Sequence, residues 1–411
     1  MGRLTRRDLL VRAGCAALLP AFVTTEGTAA MNAIVPFEID VLEAQLEDLR
    51  RRLDNTILAS EVDSESWSYG PTGAYVRSML DRLKSFDWRA KEMELNRFPH
   101  FTTTIDSQTI HFIHLKSGEK NAIPILLIHG WPGSIVEFLG VIGPLTDPVG
   151  HGGKAGDAFD VIIPSLPGFG FSGPTHEPGW DHARIARAFI ELMARLGYDR
   201  FAVQGGDAGA IIGPQLGRIA PEKVIAIHVN AATMGFIPMG PIPEADLATY
   251  NEREKVRVAR LQRFMQNHFG FNVVHSTRPQ ALGYAISDSP IGLLAWLSEL
   301  FTSFGDRVDA VDADSFLTNV LVYWFTGTAA SSLRMYYEAA HDPNAFAPRA
   351  NSGVPTGVAV FGFDEVPIRR IGEQSNTIVR WTEYDVGGHY AVLEVPDIWV
   401  EDLRAFFAGF R

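Results

Sequence analysis

The stretch Gly205-Gly206-Asp207-Ala208-Gly209 constrains this chain more than any other. Before it, Phe201-Ala202-Val203-Gln204 is a short apolar run suited to a buried strand; after it, Ala210-Ile211-Ile212 opens a helical pattern. A strand that turns straight into a helix needs backbone angles that force small neighbours and push the central side chain into the open. Such a corner is a nucleophile elbow, here with Asp at its centre in place of the usual Ser. A carboxylate needs no base to act as a nucleophile, but the ester it forms must then be hydrolysed. The alternative is a glycine-rich turn carrying a solvated Asp, so the elbow counts only if its context agrees.

That context reads as α/β. Ile125-Leu126-Leu127-Ile128 and Val161-Ile162-Ile163 are continuous apolar runs, as expected of strands buried on both faces of a parallel sheet. Asp181 is placed to cap a helix whose apolar face is Ile185, Phe189, Leu192, Met193 and Leu196, ending at Gly197. Ile225-Ala226-Ile227, Val358-Ala359-Val360-Phe361 and Ile378-Val379-Arg380-Trp381 supply later strands, and a helix around Val400 to Phe407 closes the chain. Strands alternating with helices predict a doubly wound sheet. Residues 236–345 break the alternation. They are helical in pattern and rich in aromatics, including Phe264, Phe269, Phe271, Trp296, Trp324 and Tyr336. An inserted lid lined for an apolar ligand fits this composition, and so does a plain helical subdomain. Residues 35–100 read as helix and loop, with Leu42, Leu46, Leu49 and Leu53 forming one apolar stripe.

Several function classes drop out. A formal net charge of −12 with no basic stripe argues against a nucleic-acid partner. No apolar run reaches the length of a membrane span. Thr5-Arg6-Arg7-Asp8-Leu9-Leu10, the apolar stretch Ala13 to Val23 and the small residues Thr28-Ala29-Ala30 resemble a twin-arginine export signal. Residues 1–30 are therefore expected to be removed and the protein exported to the periplasm or medium, or cytoplasmic if the signal is not used. The single cysteine, Cys15, lies in that segment, which leaves the mature chain without a disulfide or thiolate metal site. Gly168-Phe169-Gly170-Phe171-Ser172-Gly173 matches a dinucleotide fingerprint in letters, but Pro167 and Pro174 flank it and no helix starts there. His111 and His114 would point to opposite faces of an extended segment. Asp306, Asp309, Asp312 and Asp314 lack the glycine and terminal Glu of a calcium loop.

Three further segments follow predicted strands. His129-Gly130-Trp131-Pro132-Gly133-Ser134 is a turn able to aim a backbone N–H above the elbow, so that the Trp131 and Ala208 amides form a two-donor oxyanion hole. His389, in Gly387-Gly388-His389-Tyr390, could reach back over the strand ends as general base, and Asp364 could orient it and stabilise its charged form. Read singly, each has a structural explanation; together they place nucleophile, acid and histidine in the chain order of an α/β-hydrolase.

With these residues the chain resembles the microsomal-type epoxide hydrolases of the α/β-hydrolase superfamily. The resemblance runs through Phe86-Asp87-Trp88-Arg89, Phe98 to Phe101, His129 to Ser134, Gly205 to Gly209, Thr277-Arg278-Pro279, Asp288-Ser289-Pro290 and Gly387-Gly388-His389. It implies an α/β-hydrolase fold with an N-terminal helical and loop extension (31–100), a core in two parts (101–235 and 346–411) and a helical lid (236–345). It also implies two-step hydrolysis of a small apolar epoxide by water to a vicinal diol, without metal or organic cofactor, and is compatible with a homodimer. Asp207 would be the nucleophile, His389 the base held by Asp364, and lid tyrosines would serve the leaving oxygen. Tyr336 matches one such tyrosine; the position of the other reads Phe271. Tyr284 and Tyr337 are candidate substitutes, and Phe271 and Trp131 are expected to line the substrate site. Ala208 stands where the family usually has Trp, and Phe361-Gly362-Phe363-Asp364 lacks the usual Pro, with Glu365 a neighbouring candidate acid. Two alternatives stay open. A haloalkane dehalogenase-like hydrolase shares the Asp nucleophile but would use an indole donor where Ala208 stands. A weakly active or non-catalytic binder of apolar ligands is suggested by Phe271.

Overall fold

A computed structural model describes residues 33–62, 66–238, 240–303, 309–345, 347–364 and 366–411. The expected export signal, Glu365 and Asp306 lie outside the described residues. The strands are β1 (Val35–Phe37), β2 (His100–Ile105), β3 (Gln108–Leu115), β4 (Ile123–Ile128), β5 (Phe159–Pro164), β6 (Phe201–Gly206), β7 (Val224–Asn230), β8 (Pro355–Val360) and β9 (Thr377–Glu383). Among the described residues they form one sheet in the order β1-β2-β3-β5-β4-β6-β7-β8-β9. Pairing is antiparallel from β1 through β5 and parallel from β5 to β9. The doubly wound expectation therefore holds for the half of the sheet that carries the elbow.

The continuous apolar runs are buried on both faces. Leu126, Ile128, Ile162, Val203, Ile227 and Val358 meet the helices His182–Arg195 and Ala208–Ile219 on one side. Ile125, Leu127, Val161, Ala202, Ala226 and Ala359 meet Leu139–Thr146 and Pro396–Phe407 on the other. The alanines on that second face make room for the fully buried Trp399 of the closing helix. Asp181 caps His182–Arg195 by accepting from the Arg184 amide at 2.7 Å.

Between β7 and β8 the chain is helical, from Glu244–Leu247 to Arg334–His341. These helices bind the loops at the carboxyl ends of the strands. Asn319 donates to the Pro132 carbonyl at 2.7 Å, the Tyr323 hydroxyl to that of Gly133 at 2.7 Å, and the Gly170 amide to Thr328 Oγ1 at 3.0 Å. The last contact gives the glycine-rich Gly168–Gly173 loop, with its short helical turn at Gly170–Ser172, a structural role as a seat for the lid.

The N-terminal segment braces the lid from outside. Trp88 packs against Phe325 with centroids 4.8 Å apart, Gln45 donates to the Phe325 carbonyl at 3.2 Å, and Arg52 to the Asp288 carbonyl at 2.6 Å. Its apolar stripe is Leu46, Leu49 and Leu53; Leu42 precedes the helix Glu43–Asp54 and is exposed. The segment also contributes the edge strand β1, which the helix-and-loop reading did not include. Among the described residues, no helix is long and apolar enough to cross a membrane.

Candidate active site

Asp207 sits between β6 and the helix Ala208–Ile219 at φ 52°, ψ −116°, a left-handed conformation that costs a non-glycine residue about 1–3 kcal/mol. The surroundings over-determine it. A Cβ on Gly209 would collide with the Ile128 carbonyl, and one on Gly130 with the Asp207 carboxylate itself. The small residues thus let β6, its helix and the loop after β4 close on one another, and the carboxylate is delivered to the strand ends.

Two backbone amides hold that carboxylate: Trp131 N–H donates to Oδ1 at 2.9 Å, and the Ala208 amide bonds it too. Oδ2 faces His389, whose Nε2 is 3.6 Å away. On its other side, His389 Nδ1 lies 3.3 Å from Asp364 Oδ1. His389 and Asp364 are both buried. The expected nucleophile, base, acid and two amide donors are therefore brought together.

Their charges are coupled. Burial raises the Asp207 pKa, against the pull of His389 and the two amides. Burial would lower that of His389, but the carboxylates of Asp364 and Asp207 outweigh it and hold the imidazole up to about 9. At neutral pH the resting pair is carboxylate and imidazolium. Loss of the Asp207 charge by esterification would release His389 toward its neutral, basic form.

The lid covers the site with aromatic rings. Phe271 lies parallel to the Trp131 indole (5.8 Å, 10°), and Tyr336 meets both edge-on at 5.9 Å. Trp131 Nε1–H donates to Ser332 Oγ at 3.0 Å. Phe271, Trp131 and Tyr336 thus meet in one aromatic cluster beside Asp207, which the Trp131 amide contacts. Tyr284 and Tyr337 do not join it, which corrects the expectation that either could stand in for the missing phenol. On Pro279–Asp288 the buried positions are Pro279, Gly283 and Ile286, so Tyr284 points away and is 72% exposed. On Arg334–His341, adjacent residues diverge by about 100°; with Tyr336 inward, Tyr337 faces out and stacks on His341 at 4.0 Å.

Three residues that sequence reasoning did not single out also belong here. Glu137, on the turn Ile135–Phe138, lays its carboxyl over Gly133. Burial, opposed by His389 and reinforced by Asp207, pushes its pKa up to about 8, so it is a neutral acid at pH 7. Tyr323 is fixed on the Gly133 carbonyl. Tyr390, next to His389, is 4% exposed and stacks flat on Phe301 at 4.2 Å. Spacing gave a signal only for Tyr390, through its adjacency to the histidine. Among the described residues, no group of three His, Cys, Asp or Glu could hold a metal ion.

Residues 34–138 match the family model of the epoxide hydrolase N terminus, and residues 123–281 that of the alpha/beta hydrolase fold. A Stigmatella aurantiaca protein assigned to the epoxide hydrolases is 41% identical over 92% of this chain and 86% of its own length. Epoxide hydrolase 1 of Oryctolagus cuniculus is 32% identical over 91% and 89%. The crystal structure of juvenile hormone epoxide hydrolase from the silkworm Bombyx mori superposes with a TM-score of 0.84 at 28% identity, covering 92% of this chain and 95% of that one. Likeness over nearly the whole chain, N-terminal segment included, places this hydrolase among the microsomal-type epoxide hydrolases.

Proposed function

We propose that the enzyme converts an apolar epoxide to a vicinal diol through an ester on Asp207. The observation that carries this reading is the division of labour on one carboxylate: Oδ1 is held by the Trp131 amide at 2.9 Å while Oδ2 faces His389. Oδ2 attacks an oxirane carbon, the carbon–oxygen bond breaks, and the departing oxygen keeps the electron pair and takes a proton from the Tyr336 phenol. Esterification removes the Asp207 charge, and the proton that His389 then sheds replaces the one Tyr336 gave up. Neutral His389, oriented by Asp364, takes a proton from water as hydroxide adds to Asp207 Cγ. The Trp131 and Ala208 amides hold the oxyanion. Collapse expels the second diol oxygen, which is protonated by His389, and the proton left on Asp207 returns to His389 to restore the resting pair.

The aromatic lining supports an apolar substrate, although Phe271 leaves Tyr336 without a second lid phenol as partner. Against dehalogenation stand Ala208, which has no indole, and the Trp131 indole N–H, which is already committed to Ser332. A passive binder would have no use for the Asp207–His389–Asp364 chain. The test is to incubate His389→Gln with styrene oxide and a panel of terpene epoxides and weigh the peptide carrying Asp207. An adduct of substrate mass is expected; none with any epoxide would refute the mechanism, and halide release from haloalkanes would favour the dehalogenase reading. Export by the twin-arginine-like leader is part of the proposal. It predicts a secreted form shortened by about 30 residues at its N-terminus, the length typical of such signals.

A further inference from the structure

Opening an oxirane puts developing negative charge on the departing oxygen, and each well-placed donor to such an oxygen is worth about 10²-fold or more in rate. Phe271 has no donor to give. Three buried phenols surround the nucleophile closely enough for its charge to oppose their ionisation: Tyr323, Tyr336 and Tyr390. Tyr323 is spent on the Gly133 carbonyl at 2.7 Å. Tyr390 is different. Its ring is clamped by Phe301 on one side and meets the His389 ring edge-on at 5.0 Å, while its hydroxyl is buried with no hydrogen-bond partner.

Burying a phenol hydroxyl without a partner is unfavourable. Phenylalanine at 390 would keep the stack on Phe301 without that cost, so the packing alone does not call for the hydroxyl. The groups nearest in charge to it are Glu137, Asp207 and the phenols of Tyr336 and Tyr323, all of the catalytic pocket. His275 is the other orphaned donor near Tyr336. Its Nε2 accepts from the Trp296 indole at 3.2 Å, and burial alone shifts its pKa, with no effect from the nucleophile. It is therefore the weaker candidate.

We propose that Tyr390 is the second phenol of this enzyme: with Tyr336 it hydrogen-bonds the epoxide oxygen as the Asp207 ester forms, supplying from the histidine loop the donor that Phe271 lacks. The inference rests on the Asp207 ester mechanism proposed above. No proton beyond the one already assigned moves; Tyr336 transfers it and Tyr390 donates a hydrogen bond to the same oxygen.

The test uses His389→Gln, in which the reaction stops at the ester, with styrene oxide in single turnover and mass analysis of the Asp207 peptide. Adding Tyr390→Phe is expected to slow ester formation about 10²-fold, comparably to Tyr336→Phe. Adding Phe271→Tyr to the Tyr390→Phe protein is expected to recover about tenfold or more of that loss, because it returns a second phenol. Thermal melts check that each variant is folded. Ester formation that ignores Tyr390→Phe overturns the assignment, as does a slowed step that Phe271→Tyr leaves uncorrected, which would trace the loss to packing on Phe301. Accumulation of ester by Tyr390→Phe with His389 intact would place the phenol on the water side and also overturn it. If His389→Gln itself forms no ester with any epoxide, the mechanism fails and this assignment with it; ester formed independently of Tyr390 overturns the assignment alone.

Discussion

Replacing Asp364 by Asn should separate the two half-reactions. Asp364 Oδ1 lies 3.3 Å from His389 Nδ1, with both side chains buried. Opposite charges at such range are worth about 4 kcal/mol at an effective dielectric constant of about 20, or about 3 pK units. His389, now held up to about 9, would fall back to or below its ordinary range. An Asn also no longer enforces the tautomer that leaves Nε2 free to accept a proton from water. In a Ser-His-Asp hydrolase, that change costs about 10⁴-fold. Oδ2 of Asp207 and the Trp131 and Ala208 amides that hold the carboxylate are untouched, so ester formation should fall far less. Rapid quenching followed by intact-mass analysis should show about one equivalent of ester per enzyme and diol release slower by ~10³–10⁴-fold. Unchanged turnover, or turnover lost without accumulated ester, would remove Asp364 from the role assigned here.

Other perturbations probe the scaffold. Gly209→Ala should push a methyl group into the Ile128 carbonyl and destabilise by about 1–3 kcal/mol or more, read as a lower urea midpoint with an unchanged m-value. Asp402 accepts from His228 (2.9 Å), Arg380 (2.6 Å), Thr382 (3.0 Å) and Tyr384 (2.9 Å). Asp402→Asn in this buried network should cost about 3–5 kcal/mol while the folded fraction keeps its kcat. Stability should also decline from about pH 7 to pH 9.5, above the range in which the depressed pKa values of the buried His129, His182 and His275 pull the other way. The raised pKa of His389 contributes stability that is complete below its ordinary 6.5 and lost as pH rises through about 9. Glu137 holds its proton up to about 8 against an ordinary 4.5, so folding takes up a proton across that window and weakens as pH climbs through it. Urea midpoints against pH should lose the lower part of this slope in Glu137→Gln; an unaltered slope would show that Glu137 is not held neutral.

What could be read from the letters was what the backbone demands. The elbow was legible because an outward-turned residue between β6 and its helix leaves room only for small neighbours, and Gly205, Gly206 and Gly209 stand where it leaves that room. The inner strands were legible because burial on both faces erases the alternation of polar and apolar residues, as at Ile125–Ile128. The short edge strand β1 was not, since three residues including Pro36 carry no such pattern. Helical phase was the weak point in the lid: Tyr336 and Tyr337 are neighbours in sequence, and only packing decides which one faces Asp207. Glu137 was illegible for a different reason. Its role comes from folding a carboxyl over the turn whose backbone had seemed to be the whole of the contribution.

The central claim is that the first oxygen delivered to the substrate comes from Asp207 and not from water. Oδ2 is the attacking atom and the later hydroxide adds to Asp207 Cγ, so solvent oxygen should enter the protein before it enters product. The direct measurement is a single turnover of styrene oxide by excess enzyme in ¹⁸O-water. The account predicts unlabelled diol and one ¹⁸O in the peptide containing Asp207. Labelled diol in that first turnover, with Asp207 unlabelled, would mean that water attacks the epoxide directly and would contradict the account.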